Sequence, residues 1–538
     1  MPLPANGTPW PPKELAPITI KLAEWAAWWT GDPEGLERTY SPGGYVRPAQ
    51  YAGGVVGAVA RFWWGRPRTD NQSPRKLHIP IAADLCQASA DLLYGEAPAF
   101  VVDDEAAQER LDELVDDGML QALMEGAEEG AALGGHFLRV TWDQQVSPDR
   151  PFVTAVSVDA ALPEFRWGRL LAVTFWHVVD ADGQLVTRHL ERHELDASGN
   201  GVIVHGLYRG SAADLGVRVP LTEHSTTEGL AQWLTANGDT ISTGTPGLAC
   251  VHVPNQRPQR RWRSHPIGQH YGRSDLDQLE GAMDALDEAY SSWMRDIRLG
   301  KARLLVPASS LDDLGAGKGA AFDTDREVFS TLNVAPTSLA SGGGSLAQAE
   351  QFAIRHEEHR ATCRELLERI IATAGYSANT FGLDDQGGAT TATEIRSRQQ
   401  RSYATRDRKL RLLRPALATL VEKLLAVDAA LFGSGITPSR PHVEFPDGVQ
   451  EGLLALAQTA QALRAAEAAS TETLVRMLHP EWDDEQVAAE VEEIMGEKEA
   501  ANPPLPDPTD PTLVNGANPV DNATANPVDN ATDVPPGA

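Results

Sequence analysis

The sequence predicts an α+β fold, and three observations lead there. Long stretches near 272–297, 346–374 and 390–432 carry apolar residues at helical spacing. The segment 136–255 instead alternates apolar and polar residues and is punctuated by turn dipeptides. The tail 498–538 is rich in Pro, Asn and Asp with no apolar face, and it repeats ANPVDNAT at 517–524 and 525–532, which predicts disorder.

The elements follow in order. Residues 1–14 are proline-rich and read as a loose lead-in. Ile18, Leu22, Trp25 and Trp29 form a helical stripe that Gly31-Asp32-Pro33 closes. Residues 36–76 mix Gly, Pro, Arg and aromatics and read as extended or looped. Helical patterning returns at 81–94 and stops at Gly95; two further helices are predicted at 105–117 and 119–133, before Gly134-Gly135. The alternating stretches are His136–Trp142, 152–158, 170–179, 184–193 and 202–208, with hairpin turns predicted at Asp182-Gly183 and Asn200-Gly201.

From Gly272 to Ile297 the pattern is a two-faced helix, about 39 Å long at 1.5 Å per residue. Leu276, Leu279, Met283, Leu286, Tyr290, Trp293 and Ile297 share one stripe. Asp277, Glu280, Asp284, Asp287 and Glu288 oppose it, giving way to Arg295 and Arg298. Acids early and arginines late complement the helix dipole, so a solvated surface helix accounts for the order by itself. Residues 301–345 are mixed, with a β-prone Arg303–Val306, a glycine-rich turn at 315–319, a short run near 328–334 and a closing Ser341–Ser345. A helix at 346–374 precedes the glycine-punctuated loop 375–389, long for a helix–helix connection.

The helix at 390–432 mirrors the first in sign. Arg396, Arg398, Arg401, Arg408, Lys409, Arg411 and Arg414 spread over one face, and Leu410, Leu413, Leu417, Leu420, Val421 and Leu424 over the other. Pro415 lacks an N–H and predicts a kink near Arg411. Either this is a solvated basic face, or acidic helices of a neighbouring copy pack on it. A strand at His442–Phe445 and a helical region at 449–497 complete the pattern.

Composition excludes several functions. A net charge of −29 and pI near 4.8 argue against simply gripping nucleic acid or an anionic membrane. Cys86, Cys250 and Cys363 are widely spaced without CxxC, so neither a disulfide framework nor a zinc site is expected. No apolar run approaches ~20 residues, and the first fourteen residues lack the basic start and apolar stretch of a secretory signal. Enzyme and cofactor patterns fail as well. Asp312 and Gly319 break a phosphate loop around Gly315–Gly319. His356 and His359 sit at i,i+3 rather than the i,i+4 of a zinc-binding helix. No GxSxG is present. The cluster Arg257, Arg260, Arg261, Trp262 and Arg263 fits either contact with nucleic acid or a domain-junction linker contacting an acidic neighbour. No catalytic residue, metal ligand or cofactor is expected.

Local texture adds a resemblance. Leu77–Ala82 leads to Ala90–Glu96; Gly272–Leu276 opens one long helix and Thr390–Ile395 another; Met477–Trp482 precedes an acidic helix. In this order the chain resembles, over about residues 15–497, the portal proteins of tailed double-stranded-DNA bacteriophages, of the type found in long-tailed phages of actinobacteria. The resemblance implies a portal-type fold: wing 1–271, including the β-rich region 136–255; stem helix 272–300; clip 301–345; second stem helix 346–374; tunnel loop 375–389; long kinked wing helix and strand 390–448; helical crown 449–497; and disordered tail 498–538. It further implies a homo-oligomeric ring, usually of twelve, at one capsid vertex of the virion, assembled in the host cytoplasm. DNA would pass through the centre, and the packaging motor (terminase), the head–tail connector, and major capsid and scaffold proteins would be partners, with no membrane. Asp277, Glu280, Asp284, Asp287 and Glu288 would line the channel, Asn379, Thr380, Asp384, Asp385 and Gln386 would approach DNA, and the basic helix would meet the neighbouring subunit. A channel wall that repels phosphates suits sliding better than six to ten phosphate contacts, which would hold DNA with an affinity changing roughly 10³–10⁵-fold over modest salt. Twelve such chains would carry a charge of about −350, which assembly must overcome. The competing readings are another structural virion protein, a capsid or connector component, and a carboxylate-based hydrolase.

Overall fold

The computed structural model describes residues 3–40, 77–234, 240–299, 303–305, 312–313, 320–321, 348–350, 354–383, 392–446, 453–466, 468–479, 482 and 484–501. The rest of segment 36–76, the glycine-rich turn 315–319, the run at 328–334, Ser341–Ser345, positions 384–389 and the repeats of the tail lie outside these residues. The chain divides into two compact units, Met1–Gln450 and Glu451–Ala538.

The first unit opens with a packed segment where a loose lead-in was expected. Leu3 and Trp10 are buried with Leu190, Tyr208 and Leu215, and the Trp10 N–H donates to the Ala213 carbonyl at 3.0 Å. Two apolar anchors outweigh the prolines there. Helix α1 (Ala16–Thr30) ends on Gly31 in the left-handed region (φ 65°) and is followed by α2 (Pro33–Tyr40). Its buried stripe is Ile18, Leu22, Trp25 and Trp28. Trp29, the expected fourth member, is only partly buried and donates its indole N–H to Glu128 at 2.9 Å.

Helix α3 (Ile81–Tyr94) falls where the periodicity put it. The short strand β1 (Ala99–Val101) leads to α4 (Glu105–Asp116), which Asp104 caps by accepting the Ala107 N–H at 3.0 Å, and to α5 (Met119–Leu133). Strands β2 (Gly135–Thr141) and β3 (Phe152–Ser157) start the β region. It continues as β4 (Ala161–Arg166), β5 (Arg169–Asp182), β6 (Leu185–Leu195), β7 (Asn200–Gly210), β8 (Val217–Val219), β9 (Thr240–Pro246) and β10 (Cys250–Pro254). All pairings are antiparallel: β10-β2-β3 form one sheet, and β4-β5-β6-β7-β8 a second in which β9 also pairs with β7. Asp182-Gly183 does turn a hairpin, Gly183 at φ 61°. The next turn lies earlier than Asn200-Gly201. Asp196 accepts the backbone N–H groups of Ser198 and Asn200, and Gly199 takes the positive φ (85°), so Asn200 already begins β7.

Strand β2 is covered on both faces, which is why its burial is nearly continuous. Leu138 and Val140 pack in a core with α3, α4, α5 and the later helix around Leu417–Leu425; Phe137 faces a second core with Trp25, Leu85, Phe175, Leu286 and Ile370. Gly126 and Gly130 of α5 make room for the buried His136 ring, since a Cβ at either would approach it to 2.7 and 2.6 Å.

The remainder of the unit is helical. Helix α6 spans Glu280–Leu299, starting eight residues later than its pattern. Ahead of it, residues 275–279 form turns, with Gln278 at φ 72°, because Ser274 and Asp275 are tied to the end of α5. The short strands β11 (Arg303–Leu305), β12 (Asp312–Asp313), β13 (Ala320–Ala321) and β14 (Gln348–Glu350) pair as β11-β14 and β12-β13. Helix α7 is His356–Ala374, starting ten residues later than expected because Gln348–Glu350 is a strand. Helix α8 (Ala392–Val427) runs on through Pro415 and ends in a π-helical turn. Strand β15 (His442–Glu444) pairs with β1. The second unit holds α9 (Leu453–Ala465), α10 (Thr471–Leu478), capped by Ser470, and α11 (Asp484–Ala501). Among the described residues no helix is long and apolar enough to cross a membrane.

Candidate functional site

Helices α6 and α7 lie antiparallel, and their two ends are held by different chemistry. At one end the chain narrows between glycines: Gly134 (φ 96°) lies so close to Gly272 that a Cβ on it would come within 2.6 Å of the Gly272 carbonyl. That approach delivers Asp275, whose backbone N–H donates to the Ala131 carbonyl at 2.9 Å. The Asp275 carboxylate is fully enclosed and accepts four hydrogen bonds. One oxygen takes the Asn255 and Gln256 amides at 2.8 and 2.7 Å; the other takes Lys409 Nζ and the Tyr376 hydroxyl, both at 2.6 Å. Lys409 spends its remaining donors on Ser89 Oγ (2.5 Å) and Tyr376 Oη (3.1 Å). Burial beside Asp275 holds the Tyr376 hydroxyl well above the usual range, so it stays a donor. Five segments, from α3, β10, the entry to α6, the exit of α7 and α8, thus meet at one satisfied ion pair.

At the far end Asp296 accepts Arg355 Nη2 at 2.9 Å and sits 3.0 Å from His359 Nε2, and the His359 ring stacks on Trp293 with centroids 6.1 Å apart. Strands β11 and β14 continue the antiparallel course beyond it.

The acidic face does not act as one surface. Glu280 is buried and receives the Trp25 indole N–H at 2.9 Å, Lys21 at 2.5 Å and Arg261 at 3.5 Å. Against the effect of burial, Lys21 and the Trp25 indole hold its carboxyl below the usual range. Asp287 is buried too, accepting the Ile79 N–H and facing His78 Nδ1, each at 2.9 Å. Asp277 lies ahead of the helix and pairs with Arg261 at 2.7 Å. Of the five, Glu288 is exposed and Asp284 half-buried. The expectation of five aligned solvent-facing acids is therefore corrected for Glu280 and Asp287: segments α1 and 77–80 pack over that side and need carboxylates there. Arg261 also resolves its own cluster, taking an acidic neighbour inside the chain.

The basic face divides likewise. Lys409 is buried at the junction above, so it is not on an exposed face. Arg401, Arg408, Arg411 and Arg414 are exposed, and none pairs with a carboxylate among the described residues. Arg414 lies over the Phe445 ring at 5.8 Å. Arg396 and Arg398 fall on α8, but their side chains are outside the described residues. In the loop, Asn379 and Thr380 form a 3₁₀ turn, Ala378–Phe381, held to α8 by Thr380 Oγ1 and Ser402 Oγ at 2.8 Å. Asp384, Asp385 and Gln386 lie outside the described residues.

One further cluster has ligand-type atoms together. His189, Glu191 and His205 bring theirs within 4.8 Å, deep between the two sheets. These atoms already satisfy one another: His189 Nε2 and His205 Nδ1 are 3.1 Å apart, and the Glu191 oxygens are engaged by His193 (2.6 Å) and Arg139. A metal cation there would face the Arg139 guanidinium, so the arrangement reads as a closed polar seam. His356 pairs with the adjacent Glu357 and His359 with Asp296, so the two do not converge.

What organises the first unit is thus a helix pair locked at one end and carrying a separate segment at the other. A family model described as phage portal protein, SPP1 Gp6-like, matches residues 66–504. The chain belongs to this portal family. Among solved structures it is similar to a chain from the virion of a native gene transfer agent particle, at 12% identity and TM-score 0.37, covering 88% of this chain and 96% of that one. It is also similar to a chain from the neck of an empty gene transfer agent particle computed with C6 symmetry, at 13% identity and TM-score 0.38, covering 75% and 90%. No curated protein matches. Of the portal residues expected from sequence, the fold groups Asp284 with Glu288 on α6 and the four exposed arginines on α8. Asp275 was missed as a site residue; its only signal was an acid beside Gly272 at a helix entry.

Proposed function

We propose that this portal-family chain assembles into a ring at one capsid vertex, the passage for DNA during packaging and ejection. The observation that carries the reading is the antiparallel pair α6/α7, anchored at Asp275 and carrying residues 300–355 at its far end, within a chain whose family match spans residues 66–504. In this reading α6 and α7 are the stem, 300–355 the clip that meets the packaging motor and later the head–tail connector, 375–391 the tunnel loop, and α9–α11 the crown. The rest of the first unit is the wing. Asp284 and Glu288 then remain as the stem acids able to reach a channel, joined in the loop by Asn379, Thr380, Asp384, Asp385 and Gln386. Repulsion from acids keeps the duplex from sticking, with a reach of about 8 Å at physiological salt. Arg401, Arg408, Arg411 and Arg414, with Arg396 and Arg398, are suited to meet a neighbour's acids and offset the charge of −29 carried by each copy. The ring does no chemistry of its own, and ATP hydrolysis belongs to a separate motor.

The test is direct. Negative-stain microscopy and mass photometry of the purified chain should give rings with a central hole, about twelve subunits round. A protein that stays monomeric at high concentration and inside particles would overturn the reading, and solid or open assemblies would favour a different virion component.

A further inference from the structure

The hairpin joining β4 to β5 makes three choices that its own fold does not reward. Arg166 and Arg169 close the ladder opposite each other, leaving Trp167 and Gly168 as a two-residue turn. Both take positive φ, 52° and 78°, as the mirror-image turn that matches strand twist requires. Asn, Asp or Gly suit the first position; a bulky side chain at positive φ is strained against its own backbone. The second choice is exposure. Trp167 is 93% exposed, so its indole recovers nothing from packing within the subunit. The third is charge: two arginines face each other across the ladder, where like charges disfavour pairing, and both are exposed without a carboxylate partner among the described residues. Backbone strain kept at an exposed site points to a contact made elsewhere. Trp and Arg are also the residues over-represented among those that dominate binding energy at protein interfaces.

We propose that the tip Arg166–Trp167–Gly168–Arg169 is a docking knob that seats on a second copy of this chain. The proposal rests on the ring reading and names one of its contacts. Charge selects the partner: with 75 Asp and Glu against 46 Lys and Arg, the surface of another copy offers the carboxylates that two adjacent guanidinium groups require. The indole between them supplies the buried, water-excluding centre of the contact, and the arginines set its orientation.

Because Trp167 makes no packing contribution to its own subunit, the test separates docking from folding. In the full-length chain, Trp167→Asn should raise the concentration at which rings dissociate at least tenfold by mass photometry. Melting of the dissociated subunit should stay unchanged or rise by about 1–2 °C, since Asn accepts positive φ. Arg166→Gln/Arg169→Gln should weaken assembly similarly and flatten its salt dependence. A photo-crosslinking amino acid at position 167 should join two copies through an acid-bearing peptide. Rings of unchanged stability in both variants would overturn the knob, as would crosslinks only to another virion protein. If the unaltered chain forms no rings, the ring reading itself falls, which is a separate result.

Discussion

The two ends of the α6/α7 pair use the same chemistry with opposite consequences. At Asp275 a carboxylate with no exposure is shared by a lysine, a tyrosine and two amides from three other segments. At Asp296 a carboxylate shared by an arginine and a histidine sits at the surface, and its Arg355 partner is 68% exposed. Water competes for every contact at the second site and for none at the first. The pair is therefore a lever with one fixed and one soft end. The difference teaches that a helix's polar face is not one functional surface: along α6, Glu280 and Asp287 are buried, while Asp284 is half-buried and Glu288 exposed.

Acid should have the largest effect, and away from either end. Burial lowers the folded-state values of His136 and His189 to about 3 and of His205 to about 4, against an ordinary 6.5. The unfolded chain therefore binds protons that the folded chain refuses. Stability is complete above pH 6.5 and declines as pH falls toward 4, by about 1.4 kcal/mol per pH unit for each histidine. Glu191, held well below its usual range chiefly by Arg139 against the effect of burial, adds loss in the same direction at lower pH. Hydrogen exchange at pH 5 should rise first in β2, β6 and β7. A first rise around Asp275 would break the distinction between sheets and junction.

Next in size is the junction itself. Asp275→Ala leaves Lys409 buried without its counter-charge and should cost about 3–5 kcal/mol in chemical denaturation. Pairing it with Lys409→Met should recover much of that loss, whereas additive losses would mean the two residues act separately. Gly134→Ala should follow at about 1–3 kcal/mol, because it forces a side chain into positive φ against the Gly272 carbonyl. A neutral result would mean the two glycines do not set the entry to α6.

Much of the fold was legible, and the misses share a cause. Ile81–Tyr94 and the strand from 135 follow local periodicity, which one sequence displays fully. Trp28 replaced Trp29 in the core because two neighbouring tryptophans both lie near the stripe, and Glu128 drew Trp29 outward. The turn at 196–199 was set by the Asp196 side chain, a local bond that a dipeptide rule overlooks. The junction lay further out of reach, since Asp275 and Lys409 are 134 residues apart and Lys409 sits among residues that do face solvent. Trp167 escaped because the turn rule looks for Asn-Gly or Asp-Gly, and the chain puts Trp there.

The smallest effect belongs to the soft end. His359 and then Arg355 hold the Asp296 carboxyl below its usual range, so its contribution is present above the ordinary carboxylate value and fades as pH drops through the lowered one. Solvent at this site screens the attraction, and Asp296→Asn should leave the melting temperature nearly unchanged. What should change is local: faster amide exchange in the last turn of α6 and the first turn of α7, with exchange around Tyr376 unaltered. If the substitution instead destabilised the whole unit as Asp275→Ala does, the two ends would be one cooperative structure, and a lever fixed at one end would be the wrong description of the pair.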